Sequence, residues 1–308
     1  MNFMCNGSET CRRMSQNLLG YGPNLPEEVF GSKAYVDGRK GSPTGAMGNM
    51  QMYVEGHAAH AIYYEKDLQK SKYWNYVCGK LFILYASNKT GSDHEGFNLN
   101  TAYSVGGGLF QVLLSDSPKL RQYLINNLDQ IANSETNPRG IGLSSHLYYS
   151  TLLALEGKQL DRLEARCQAF LSNYAKADKK RVYDYEFLLA FARQDGALMR
   201  AALEPLLKPG QGRIVGRDVQ AYYDFWLQPQ IVFYAKLASI HGFDLGFDQE
   251  ETPAQLIKYD PLPEGSYTDP FDFMKAFDLD WPHEFSVIWA DYYRGLRDDL
   301  NYTPPKRS

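Results

Sequence analysis

The residues that could do chemistry are few, and they stand apart. His57 and His60 lie three apart, between Glu55 and Glu65. On a helix this spacing puts both imidazoles on one face, with Glu65 a further turn away, the beginning of a metal site. A zinc hydrolase helix spaces its histidines four apart with a glutamate beside the first, and this stretch does not. Two ordinary helix histidines explain it better. Gly106-Gly107-Gly108 lacks the Gly-Lys-Ser/Thr ending of a phosphate loop, and no strand pattern precedes it. Close packing of two helices, or a break in one, accounts for it better. Ser144-Ser145-His146 has no glycine elbow, and Ser144 reads as a helix cap. Asp184 and Glu186 flank a tyrosine and point apart on a helix, which makes a poor acid/base pair. No calcium loop of the Asp-x-Asp-x-Asp-Gly type is present. Cys5, Cys11, Cys78 and Cys167 form no spaced metal set, and the latter two sit in apolar helices as buried thiols. The expectation is a chain without catalytic residues, metal or cofactor. The enzymatic alternative is a helical metal-dependent hydrolase using His57, His60 and a carboxylate.

Charge carries more information. The 308 residues have a net charge of −4, which argues against a nucleic-acid binder. The charge is unevenly placed. Between Asp244 and Asp299 fourteen Asp and Glu face four Lys and Arg, a net of −10, while the remainder holds 28 basic and 22 acidic residues, a net of +6. Such a segment is either a solvated face or a surface that meets a basic partner. Its acids are interleaved with Tyr259, Tyr267, Phe271, Phe273, Trp281 and Trp289, which could anchor a partner that the charge steers. Phe285 and Trp289 are expected in the core. The expected partner-binding set lies where helices begin and end: Glu250, Glu251, Asp269, Asp272, Asp278 and Asp280. Tyr222, Tyr223, Phe225 and Trp226 read as packing, and Lys179-Lys180-Arg181 as solvated turn charges.

The elements that must position these residues are helical. Residues 1–48 are dense in Gly and Pro and read as an irregular arm, with a short helix near Cys11–Leu19 and an extended Lys33–Val36. Residues 49–265 form the body. Helices are expected over Asn49–Lys70, with Met52, Ala59, Ile62 and Tyr63 inward, and over Lys72–Asn88, Leu99–Leu114, Ser117–Ala132, Ser144–Leu155 and Leu160–Tyr174. Arg181–Arg193 and Ala197–Leu207 make a hairpin around Asp195-Gly196. A long apolar helix follows from Arg217, kinked or divided at Pro229 and stopped by His241-Gly242. Phe243–Phe247 alternates like a short strand, and Thr252-Pro253 opens another helix. Residues 266–308 form an acidic, aromatic tail, with helix starts at Asp269-Pro270 and Trp281-Pro282, packed on the body. The fold class is all-α: stacked helical hairpins in one solenoid-like domain. The sequence has no apolar run of about 18 residues and no signal-peptide pattern, so a cytoplasmic protein with reduced thiols and no membrane partner is expected.

Two stretches carry a resemblance. Tyr185–Lys208, YEFLLAFARQDGALMRAALEPLLK, and VFYAKLASIHGFDLGFDQEETPAQLI within Val232–Pro263 resemble the C-terminal half of the immunity protein 49 family. In both, an amphipathic helix pair turns at Asp-Gly, or a small-apolar helix ends at His-Gly before an extended arm and Pro-x-x-Leu. The resemblance implies a helical antidote of a bacterial polymorphic toxin system. Its partner would be a cognate toxin or effector domain, delivered by contact-dependent or type VI secretion and neutralised stoichiometrically. A nuclease toxin is the expected type, because nucleases present basic clefts and this chain offers acid. A helical adaptor or chaperone for a secreted effector is the other non-enzymatic reading.

Overall fold

The structure, a computed structural model, describes residues 24–88, 107–131, 143–208, 210–212, 222–223 and 226–303. Among these residues every regular element is a helix. The nearest approach to a strand is one isolated bridge between Gln249 and Thr252.

Helix α1 spans Glu27–Asp37 and α2 spans Pro43–His60. Ser42 starts α2: its Oγ accepts from Gly45 N at 3.1 Å, and Pro43 supplies a preset φ in the first turn. The chain continues as a π-helical turn, Ala61–Glu65, and leaves it at Lys66, which is left-handed with φ 58°. Helix α3, Leu68–Asn88, then packs along α2. Its apolar run buries Val77, Cys78, Leu81, Phe82, Ile83 and Leu84.

Helix α4, Gly107–Leu114, crosses α3 at a glycine. A Cβ on Gly108 would stand 1.8 Å from Phe82 Cγ, so only glycine lets the two backbones approach this closely. The packing role expected for the triple glycine holds at this position. Helix α5, Pro118–Asn126, is capped by Ser117 Oγ, which accepts from Leu120 N, and the short α6 is Leu128–Ile131.

Helices α7 (Leu143–Glu156), α8 (Leu160–Leu171), α9 (Val182–Ala192) and α10 (Gly196–Leu203) follow as hairpin neighbours, each packed on the next. Asp195 caps α10 by accepting from Leu198 N at 3.0 Å. Helix α11, Pro229–Ile240, is buried from Pro229 to Ala238. After it come α12 (Ala254–Ile257), the one-turn α13 (Asp272–Lys275) and α14 (Glu284–Tyr293). Helices α13 and α14 lie against α3, so the tail is joined to the first half of the chain. Phe285 and Trp289 are buried, and Trp289 Nε1 donates to Phe273 O at 3.1 Å.

Several expectations are corrected. Residues 27–48 are helix and turn rather than an irregular arm, because Val29, Val36 and Met47 give their short helices a buried face. Lys33–Val36 is helical, not extended; Cys11–Leu19 lies outside the described residues. The second helix begins at Pro43, not Asn49, and Met52 points outward. Pro229 does not kink a helix. It sits in the first turn of α11, with the Gln228 side chain accepting from Ile231 N at 3.0 Å. Phe243–Phe247 is extended but pairs with no strand, and it buries Leu245 and Phe247. The cap before α12 comes from Asp248, which accepts from Ala254 N, while Thr252 is buried on Gln249. At Asp269-Pro270 no helix starts; the turn begins at Asp272. Arg181 is not solvated but buried in a pair with Asp184 at 3.2 Å.

Candidate partner-binding cleft

The two histidines of the enzymatic alternative are engaged in contacts within the fold. His57 is buried against the edge of Trp74, with ring centroids 4.9 Å apart. Burial, with Lys70 nearby, lowers its pKa to about 4. His60 Nδ1 meets Glu65 Oε1 at 3.2 Å, and Lys70 takes the same carboxylate at 2.8 Å. Among the described residues no group of three His, Cys, Asp or Glu could hold a metal ion. His146 is a core residue whose Nδ1 lies 2.7 Å from the Tyr185 hydroxyl, and Cys78 and Cys167 are buried free thiols. Asp184 is buried, held by Arg181, Gln230 and Tyr234, while Glu186 is exposed. Burial pushes the Asp184 pKa up against these partners, and the two carboxylates face different surroundings.

An open concavity lies where the C-terminal segment meets α3 and the start of α5. It is an open cleft of about 670 Å³. Its floor comes from α3. Lys80 is buried and donates to Asp269 Oδ2 at 2.7 Å, and the Tyr76 hydroxyl donates to Asp269 Oδ1 at 2.8 Å. Burial lowers the Lys80 pKa although Asp269 opposes it. One wall is Tyr267, whose hydroxyl accepts from Leu262 N at 2.9 Å and donates to Ser115 O at 2.8 Å. Its ring lies 5.3 Å from that of Tyr76, and burial pushes its pKa up to about 12, so the hydroxyl stays neutral. Pro118, Phe277 and Leu279 add apolar surface.

The acidic residues expected at an interface divide between two places. Asp269 and Asp278 line the cleft. Asp280 pairs at 3.1 Å with Lys119, and Asp272 at 2.8 Å with Lys275, both lysines being on the cleft wall. Asp269 differs from the rest of this set: its carboxylate is engaged by Lys80 and Tyr76 and is 15% exposed. Glu250 lines a separate groove of about 290 Å³ with Lys66, Trp226 and Leu256. Glu251 is half-buried, and its carbonyl accepts from Gln228 N. The aromatics interleaved with the acids are mostly core. Phe271, Phe273 and Trp289 are buried, and Trp281 packs edge-on against Phe285 at 4.1 Å. Tyr259 and Tyr267 remain half-exposed.

Sequence reasoning overlooked Glu264, which lines the cleft, and the lysines beneath the surface. Lys80 and Lys236 each stand alone in an apolar helical run, and a lone lysine there signals a buried pair.

A family model described as Immunity protein 49 matches residues 84–256. This chain belongs to the immunity protein 49 family. Nothing among curated proteins or solved structures matches it. The match runs from the end of α3 into α12 and includes Tyr185–Lys208 and the stretch from Val232 as far as Leu256. It reaches the cleft only at Pro118 and Lys119; Tyr76, Lys80 and the wall from Leu262 to Leu279 lie beyond its ends. Membership implies an immunity protein, one that protects against a toxin by binding it. No helix among the described residues is long and apolar enough to cross a membrane.

Proposed function

We propose that this chain neutralises a secreted nuclease toxin in the cytoplasm by covering the toxin's basic cleft with the acidic face of its C-terminal segment. The observation that carries this reading is the charge map: a segment of net −10 is set against a remainder of +6, and three of its acids, Glu264, Asp269 and Asp278, line one cleft. A nuclease must present cations to phosphates, so a surplus of carboxylates complements it and raises the rate of encounter. The family supplies the toxin-binding role. Delivery of the toxin by contact-dependent or type VI secretion fits that role. Placement supports the reading too. The family match covers the helical body, whereas most of the cleft is built by residues outside it. A shared body with its own acidic edge is a sensible design for a protein that must discriminate one toxin from another.

The test is co-expression. The toxin domain encoded next to this gene should kill cells alone, spare them when this chain is present, and copurify with it in a fixed ratio. Its nuclease activity in vitro should fall to zero at equimolar chain. A neighbouring toxin that attacks a non-nucleic substrate would remove the nuclease assignment, and failure to protect would remove the whole reading.

A further inference from the structure

The lysines of the cleft are all already matched. Lys80 holds Asp269, Lys119 holds Asp280 and Lys275 holds Asp272. Two carboxylates on the lining, Glu264 and Asp278, form no ion pair within 4.0 Å among the described residues, although Asp278 Oδ1 accepts from the backbone of Asp280 and its charge supports that of Lys80. Counted with Asp280 and Asp272, which pair the outer lysines from beside the lining, five carboxylates face three ammoniums, a surplus of two negative charges. Beside these carboxylates stands Tyr267, a ring fixed by hydrogen bonds at both lone pair and proton and braced by Tyr76. A fixed aromatic wall and carboxylates outside any close ion pair in one concavity are what a planar cation needs. A guanidinium can lie on a ring and give its forked N–H groups to carboxylates, whereas an ammonium is a compact, strongly hydrated charge that gains less from the ring. The cleft, at about 670 Å³, lies in the range of small-molecule sites and exceeds a single side chain, so it also admits neighbouring backbone.

We propose that this cleft is a socket for an arginine side chain of the partner, held by Glu264 and Asp278 and laid against Tyr267. The identity of the partner rests on the toxin reading above; the preference for arginine rests on the cleft alone. The geometry prepares the socket before binding. Lys80, Asp269 and Tyr76 fix its floor, and Tyr267 loses no rotamer freedom when a ligand arrives, which lowers the cost of association.

The experiment uses the full chain and three probes: acetyl-Ala-Arg-Ala-amide and its Lys and Gln counterparts, titrated by NMR at low ionic strength. The arginine peptide should bind and shift the Tyr267 ring resonances, with affinity roughly tenfold above the lysine peptide and more above the glutamine one. The double variant Glu264→Gln, Asp278→Asn should lose that preference while its circular dichroism stays unchanged, because both side chains are exposed. A second variant, Tyr267→Phe, keeps the ring and should retain binding if it folds. Equal binding of arginine and lysine peptides, equal binding by the double variant, or shifts confined to residues away from the cleft would overturn the socket. These results do not depend on any toxin. Protection that survives in cells while the peptide fails to bind removes the socket and leaves the function; peptide binding without protection does the reverse.

Discussion

Lys236 Nζ stands 2.6 Å from Asp116 Oδ1, and neither side chain is more than 1% exposed. Lys72 reaches the other oxygen of the same carboxylate at 3.0 Å, so one buried acid answers two buried ammoniums. The spare donors are used as well. Lys236 gives a hydrogen bond to Lys258 O at 2.7 Å, and Lys72 gives one to Asp260 O. These contacts fasten α3, the turn before α5, α11 and the chain after α12 to each other at one point. Desolvation still lowers the Lys236 pKa to about 8, so the cost of burial is not fully recovered by the pairing.

Asp116→Asn should therefore be among the most damaging single changes in the chain. Asp116 is left-handed with φ 56°, a conformation that asparagine tolerates, so the substitution removes the charge and little else. Two buried ammoniums would face each other, with only the exposed Asp260 carboxylate, 3.5 Å from Lys72 Nζ, to offset them. The expected loss is about 3–5 kcal/mol, read from urea denaturation. Lys236→Met should cost less, because Lys72 still neutralises the carboxylate. Asp116→Asn within about 1 kcal/mol of the parent would show that the network contributes nothing.

The Asp269 carboxylate, by the same logic, belongs to the fold. Asp269→Asn strands Lys80, which is 3% exposed, and should lower stability by about 3 kcal/mol. Asp278→Asn, on the same cleft, should change it by no more than about 0.5 kcal/mol. Matching melting temperatures for the two variants would contradict the division made here between floor and lining.

Acid should destabilise the chain through two core histidines. Burial holds His57 at about 4 and His146 at about 3, against an ordinary 6.5. Arg166 lowers His146 further. Between pH 6.5 and these values the unfolded chain takes up protons that the folded chain refuses, so stability falls as pH falls through this window. From pH 7.5 to 5 each histidine should remove about 2 kcal/mol. His146→Gln should flatten the dependence by that amount, even though losing the 2.7 Å contact with Tyr185 lowers stability at neutral pH. A variant with the same slope as the parent would mean that His146 titrates normally.

How far the sequence announces this structure depends on the reach of each signal. Ser117-Pro118 marks a helix start within a few residues and its cap forms, and Asp195-Gly196 marks the hairpin turn, where Asp195 also caps the following helix. Ser42-Pro43 is the same signal, masked to the reader by the glycines around it. Pro229 is one residue whose meaning depends on whether a helix precedes it, and the local pattern cannot decide that. Pairs such as Lys80 with Asp269 or Lys236 with Asp116 join positions more than a hundred residues apart and have no local signature. Asp269 thus reads as one more acid in an acidic tail, until α3 is brought beside it.

Charge reversal on the acidic face tests where the partner binds. Glu250, Asp272 and Asp278 are exposed, so lysine at all three leaves the buried pairs of Lys80 and Lys236 intact. Asp272 is paired with the exposed Lys275, and solvent screens that pair. The triple variant should keep its helical spectrum and its melting temperature to within a few degrees. Association with the toxin should slow, because rim charges act on the encounter rate more than on dissociation. The deficit should be largest at low salt and shrink as the Debye length falls to about 8 Å at physiological ionic strength. Stopped-flow association rates against salt, for parent and variant, distinguish two outcomes. Parallel lines with a lower intercept for the variant would point to a distorted fold rather than lost steering. Superimposed lines would make the acids a solubility feature and move the interface to the basic remainder of the chain.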